Sequence, residues 1–223
     1  MAYLHKYFEN SSKNLKTTSL FFVVFYTVGI IGMSIPLSYP LFLKLIPFAL
    51  ILSFIALVFF QTSKMEWKAI WVYLGIYLTS FIVEAIGVNT GQVFGYYNYS
   101  NGLGPKVFET PIIIGFNWLF LIYTTSSVVE SWSIHPIYKI IIASIGMLMY
   151  DLVLEQLAPK LEMWHWKNEI IPLQNYLAWL GLALLFHAIL KISNIKIQNR
   201  LASLLLGCQF LFFLLLFILF KCV

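Results

Sequence analysis

The chain has 223 residues, 61% of them hydrophobic and only 10% charged, against roughly 25% charged in a typical soluble domain, so it has too little charge to coat a water-exposed surface. Its formal charge of +5 comes from lysines spread singly at the ends of apolar runs, which excludes the basic stripe of a nucleic-acid-binding protein. Cys208 and Cys222 lie fourteen positions apart in or beside the last apolar run, a spacing that frames neither a disulfide scaffold nor a zinc site.

Residues 1–17 read as a polar N-terminal tail, and 18–223 as a single transmembrane helical domain. Apolar runs of bilayer-spanning length cover about 18–35, 41–60, 68–87, 109–129, 135–153, 173–191 and 201–220. The first is longer than the apolar region of a secretory signal and reads as a retained span. Pro36 and Pro40 fit a tight turn before the second. The expected fold is therefore all-α, a polytopic bundle of seven helices in a multi-pass protein of the cell (inner) membrane. A cytoplasmic N-terminus puts Lys6, Lys13, Lys16, Lys64, Lys68, Lys139, Lys191, Lys196 and Arg200 inside, and Lys44, Lys106, Lys160, Lys167 and Lys221 outside. That nine-to-five bias favours this orientation, in which the long connections 88–108 and 154–172 both emerge on the outer side. The last span has no charge from Leu204 to Phe220 and reads as packing and lipid contact.

Chemistry concentrates at the outer ends of the spans. Glu84 falls about one turn from the end of the third, where an ionised carboxylate is costly unless the bundle compensates it. Asp151 and Glu155 are four residues apart, so they share one face at the outer end of the fifth helix. Glu109 is expected to open the fourth span at the same level. Like charges crowded into a poorly hydrated cleft keep at least one carboxyl protonated, as a general acid requires. Asn175 and Trp179 form an i, i+4 pair at the outer end of the sixth helix, and Asn117 and Trp118 lie within the fourth. Gly87, Gly91, Gly95 and Gly102 imply a loop folded back on the helices. His165 lies between Trp164 and Trp166 in the second outer loop. A di-iron or zinc site wants several histidines at helical spacings such as Glu-x-x-His, and the single match, Glu162 to His165, falls in a loop, so no metal site is expected.

The stretch from Glu84 to Gly104, EAIGVNTGQVFGYYNYSNGLG, is followed by Glu109, Pro111, Trp118, Asp151, Glu155, Trp164, Trp166, Pro172, Asn175 and Trp179. Together these closely resemble the carotenoid hydratase family, which includes the gamma-carotene, lycopene and bisanhydrobacterioruberin hydratases. One departure is Gly115, which stands where the family's fourth-helix motif has a second proline. The resemblance implies cofactor-free addition of water to the terminal C1,C2 double bond of an acyclic carotenoid end, giving a tertiary alcohol. Partners would be a carotenoid drawn from the bilayer, water, and other enzymes of the carotenoid pathway. Glu84, Asp151, Glu155 and Asn175 are then the candidate catalytic residues. Glu84, as the more desolvated, has the stronger claim to be the acid, with Asp151 the ionised partner and Glu155 and Asn175 positioning water. In the alternative version Glu84 bonds the Thr90 or Tyr96 hydroxyl and organises the loop, leaving Asp151 as the acid. Substrate contacts are expected from Thr90, Phe94, Tyr97, Tyr99 and Glu109. Asn117, Trp118, His165, Trp166 and Trp179 complete that expectation. A carotenoid cyclase and a non-enzymatic carotenoid-binding or transport protein remain as other readings.

Overall fold

The computed structural model of the protein describes residues 2–63 and 65–222, with side chains from Asn14 to Lys221 apart from Lys64. Lys6, Lys13 and Lys64, which the charge count assigns to the inner side, lie outside the described side chains. Seven long helices cover most of the chain: α1 (Ala2–Ser34), α2 (Tyr39–Phe60), α3 (Trp67–Thr90), α4 (Ile113–Glu130), α5 (Pro136–Glu155), α6 (Leu173–Ile192) and α7 (Ala202–Cys222). Each contains a stretch long and apolar enough to cross a membrane, so the protein is an all-α multi-pass bundle, as expected. The first helix begins at Ala2 and takes in the polar residues ahead of its apolar run.

The helices differ in how much of their surface they hide. In α4, 67% of the apolar window is buried, twice the 33% reached by α5 and α6. A helix apolar all round belongs inside a bundle, and the unbroken buried run from Trp118 to Thr125 makes α4 the central one. Gly115 permits its close approach to α3: a Cβ there would lie 2.8 Å from the Tyr77 ring and 3.0 Å from the Tyr77 carbonyl. The helix runs unbroken through Gly115.

Among the described residues, four short strands decorate one end. β1 (Tyr97–Tyr99) pairs antiparallel with β4 (Trp164–Trp166), joining the two long connections into one ribbon. β2 (Lys106–Val107) and β3 (Thr110–Pro111) form a hairpin whose turn residues, Phe108 and Glu109, have φ of 51° and 59°. Two successive positive φ values mark the tight turn that suits a two-residue hairpin. The turn places Glu109 in an exposed position and delays the fourth helix to Ile113, so Glu109 does not open that helix.

The turns alternate between the two ends of the bundle as seven successive crossings require. At the ribbon end, the Tyr39 hydroxyl donates to the Lys160 carbonyl, and Lys160 Nζ donates to the Phe220 carbonyl at 2.8 Å. At the other end, Gln61 bridges to Asn199, and Glu130 lies near Lys139 and Lys191 at 3.9 and 3.7 Å. Reporter fusions within 88–104 and within 192–199 should therefore report opposite compartments, the first non-cytoplasmic. Identical compartments at the two sites would contradict seven crossings, and an exchange of the two would reverse the expected orientation.

Candidate functional site

The alternation of strand residues builds the site. In β1 and β4 the register pairs Tyr97 with Trp166, Asn98 with His165 and Tyr99 with Trp164. Successive strand side chains point to opposite faces, so the four aromatics are buried toward the helices while Asn98 and His165 are exposed. Two glycines let the ribbon descend onto the bundle. Gly91 ends α3 in the left-handed conformation, φ 70°, with its amide donating to the Gly87 carbonyl at 2.8 Å. Gly95, φ 105°, passes so close to Pro172 at the start of α6 that a Cβ would lie 2.5 Å from its ring.

Beneath the ribbon sit three buried carboxyl groups. Glu84 Oε2 accepts from the hydroxyls of Tyr97 at 2.7 Å and Tyr99 at 2.8 Å, and its Oε1 accepts from Trp118 Nε1 at 2.9 Å. Glu155 Oε2 accepts from the indole N–H groups of Trp164 at 3.0 Å and Trp166 at 2.6 Å. Asn175 Nδ2 donates to Glu155 Oε1 at 2.9 Å and to Asp151 Oδ2 at 3.2 Å, linking α6 to both acids of α5. Asp151 is fully buried, and its second oxygen, Oδ1, has no partner. The Trp118 and Trp179 rings stack below with centroids 4.1 Å apart.

Two cavities adjoin this cluster. The smaller, about 20 Å³, is lined by Glu84, Glu155 and Asn175 among the rings of Phe94, Tyr97, Tyr99, Trp164, Trp166 and Trp179. A water molecule needs roughly 10–15 Å³ of such space and two to four polar partners, so this chamber fits one. The larger, about 280 Å³, lies between α1, α2, α4, α5 and α7. Its walls are mostly apolar, and Val28 and Leu45, half exposed on the outside of the bundle, border it. Trp164 borders both cavities. On α5, Tyr150 and Leu154 line the large cavity, while Asp151 and Glu155 follow each of them by one residue.

Of the residues expected from sequence, Glu84, Asp151, Glu155, Asn175, Phe94, Tyr97, Tyr99, Trp118, Trp166 and Trp179 converge here. Asn117 faces the large cavity instead. Thr90 does not reach the site: exposed at the end of α3, its hydroxyl donates to the Ile86 carbonyl and accepts from Gln92 N. Tyr96 is 62% exposed, so Glu84 is held by Tyr97 and Tyr99 rather than by Thr90 or Tyr96. Glu109 and His165 point outward, one thrown out by the hairpin turn and the other by strand alternation. Trp164 was missed as a site residue, although the aromatic–polar–aromatic alternation of Trp164-His165-Trp166, matching Tyr97-Asn98-Tyr99, is the period-two signal of a strand. Among the described residues no three side chains of His, Cys, Asp or Glu are grouped to hold a metal ion.

Fold and site together define a polytopic membrane protein with a desolvated carboxylate cluster, roofed by aromatic donors, beside an apolar cavity. The chain belongs to the carotenoid biosynthesis protein family, whose profile matches residues 45–223. No curated protein and no solved structure gives a significant match.

Burial first, and the negative charge of Glu84 second, hold the Tyr97 and Tyr99 phenols well above the ordinary tyrosine range, so both persist as donors. The unfolded chain loses these protons first as pH rises past about 10, so the stability they lend is complete below that pH and declines above it. In detergent, the thermal midpoint should fall above pH 10, and less steeply when both tyrosines are replaced by phenylalanine. At neutral pH, Tyr99→Phe alone should cost about 1–3 kcal/mol, the range for a hydrogen bond to a charged or buried group. A Tyr99→Phe variant as stable as wild type would show that this hydroxyl does not hold Glu84.

Proposed function

We propose that the protein hydrates the terminal double bond of an acyclic carotenoid end group, forming a tertiary alcohol. The observation that carries this reading is the state of the six carboxyl oxygens in the cluster: five accept hydrogen bonds and Asp151 Oδ1 alone has no partner. Three neighbouring carboxyl groups served only by neutral donors cannot all be ionised in a medium of low polarity. Glu84 and Glu155 each face three donors, an environment that suits an anion. We therefore place the proton on Asp151, taking the alternative of the two sequence-based versions over the one with Glu84 as the acid.

The chemistry balances without a redox step. Asp151 delivers its proton to the less substituted alkene carbon, C2, and the π electrons form the new C–H bond. The tertiary cation left at C1 is steadied by the anionic Glu84 and Glu155 and by the face of Trp164. Water attacks C1, and the oxonium proton returns to the cluster to restore the acid. The small chamber holds the water against Glu155 and Asn175, while the large cavity takes the isoprenoid end. At about 280 Å³ the cavity lies at the low edge of the roughly 300–1,000 Å³ that encloses a drug-sized ligand. One end of a carotenoid therefore enters, and the polyene stays in the bilayer. Val28 and Leu45, exposed on the lipid-facing side, mark the entry between α1 and α2.

A cyclase would use the same protonation but must keep water from the cation. A chamber sized for one water and bordered by Glu84, Glu155 and Asn175 favours hydration. Expression in a lycopene- or gamma-carotene-producing bacterial host separates the readings: hydration adds the mass of one water to the pigment, cyclisation changes retention but not mass, and simple binding changes neither. Asp151→Asn should lower turnover by about 100-fold or more, the typical contribution of a general acid, while Glu84→Gln at equal membrane abundance loses less. An Asp151→Asn variant retaining more than about a tenth of wild-type hydration would remove Asp151 from the acid role.

A further inference from the structure

The last helix, read from sequence as packing and lipid contact, contributes a polar group to the large cavity. Beyond Ser203 and Cys208, Gln209 is the one polar side chain of α7 before Lys221. It is only 6% exposed and borders the cavity, as Tyr150 of α5 does. Its amide oxygen, Oε1, is buried without a partner. Leucine would fill a similar volume there and leave nothing unsatisfied, so the unpaired oxygen is a standing cost to the apolar wall.

A second amide faces the same space. Asn117, on the central helix α4, lines the cavity, and among the described residues its side chain makes no hydrogen bond. Gln209 offers an acceptor, and Asn117 offers both a donor and an acceptor. A hydrocarbon satisfies neither amide, and a ketone can only accept. An alcohol hydroxyl donates to one and accepts from the other. The remaining walls, including Phe42, Leu50, Phe212 and Phe213, are apolar. We propose that Gln209 and Asn117 form a hydroxyl-binding station in the large cavity, selecting a branched isoprenoid chain that carries an aliphatic alcohol. The station rests on the reading of this cavity as the berth of an isoprenoid end, and it gives the hydrated end group a place to be held. Its consequence is that the product end binds more tightly than the hydrocarbon end.

The test compares tetrahydromyrcenol, a short branched tertiary alcohol, with its parent alkane on the detergent-solubilised full chain. Binding is followed by tryptophan fluorescence and thermal shift, with concentrations corrected for micelle partitioning. Wild type should bind the alcohol roughly three- to ten-fold more tightly, the yield of one buried hydrogen bond. Gln209→Leu should abolish that preference while keeping alkane affinity, and Asn117→Leu should reduce it. If Gln209→Leu fails to insert, Gln209→Met and the Asn117 variant carry the comparison. Equal affinity for the two probes in wild type would overturn the station, as it would if the site holds only water. A preference that survives in the Gln209 and Asn117 variants would overturn it too. Hydration of pigment without an alcohol preference defeats the station alone, whereas an alcohol preference without hydration defeats the reaction and leaves the station standing.

Discussion

Glu84 receives hydrogen bonds from Tyr97, Tyr99 and Trp118 while sitting in a helix that crosses the membrane. Lipid offers a carboxylate no solvent, so the protein must supply it. Within one helix the donors are already committed to the backbone ladder, and they have to come from elsewhere. The central helix contributes an indole, and the loop after α3 contributes two phenols by folding back as a strand. That strand needs a partner to satisfy its own backbone, and the connection after α5 provides it, delivering Trp164 and Trp166 to Glu155 in the process. The ribbon is thus a consequence of solvating buried acids.

The seven crossings were legible because a membrane imposes a simple length and polarity rule on each span. The identity of the acidic residues was legible for the same reason, since Glu84 and Asp151 stand out against apolar neighbours. Their roles were less so. Depth along a helix places Glu84, Asp151 and Asn175 at one level, but it does not say which oxygen each donor takes, and that count decides where a proton resides. Glu109 and His165 show the limit from the other side. Both lie at the right depth in sequence, yet one sits in a two-residue turn and the other on the outer face of a strand, and neither turn type nor strand parity is visible while the segment is read as a loop. Gln209 escaped notice because a single polar residue in a long apolar helix has no periodicity to announce it.

The division into two chambers follows from the geometry of α5. Tyr150 and Leu154 face the large apolar cavity, and the residues one step on, Asp151 and Glu155, belong to the cluster. One helix therefore presents an oily face and an acidic face side by side, with Trp164 forming part of both walls. Such a partition suits the proposed hydration, in which a hydrocarbon and water must meet at one point and nowhere else. An indole serves well as the divider because its face tolerates both an alkene and a developing cation, while its N–H remains tied to Glu155.

Positions of this kind hold only if the helices carrying them cannot slide, and the half of the bundle away from the ribbon accounts for that. His187 on α6 contacts Thr125 on α4 at 2.9 Å through Nε2 and Ser144 on α5 at 3.0 Å through Nδ1, so one buried ring ties together three helices that supply the cluster. Nearer the end, Glu130 lies between Lys139 and Lys191, joining the same three helices again, although partly exposed pairs of this length contribute little energy. The buried tie is the stronger constraint, because each partner it releases would be left without water to replace it. The proposed chemistry would need its groups held to within about half an ångström of their working geometry. Fixing α4, α5 and α6 at their far ends meets that demand without placing any further group in the site itself.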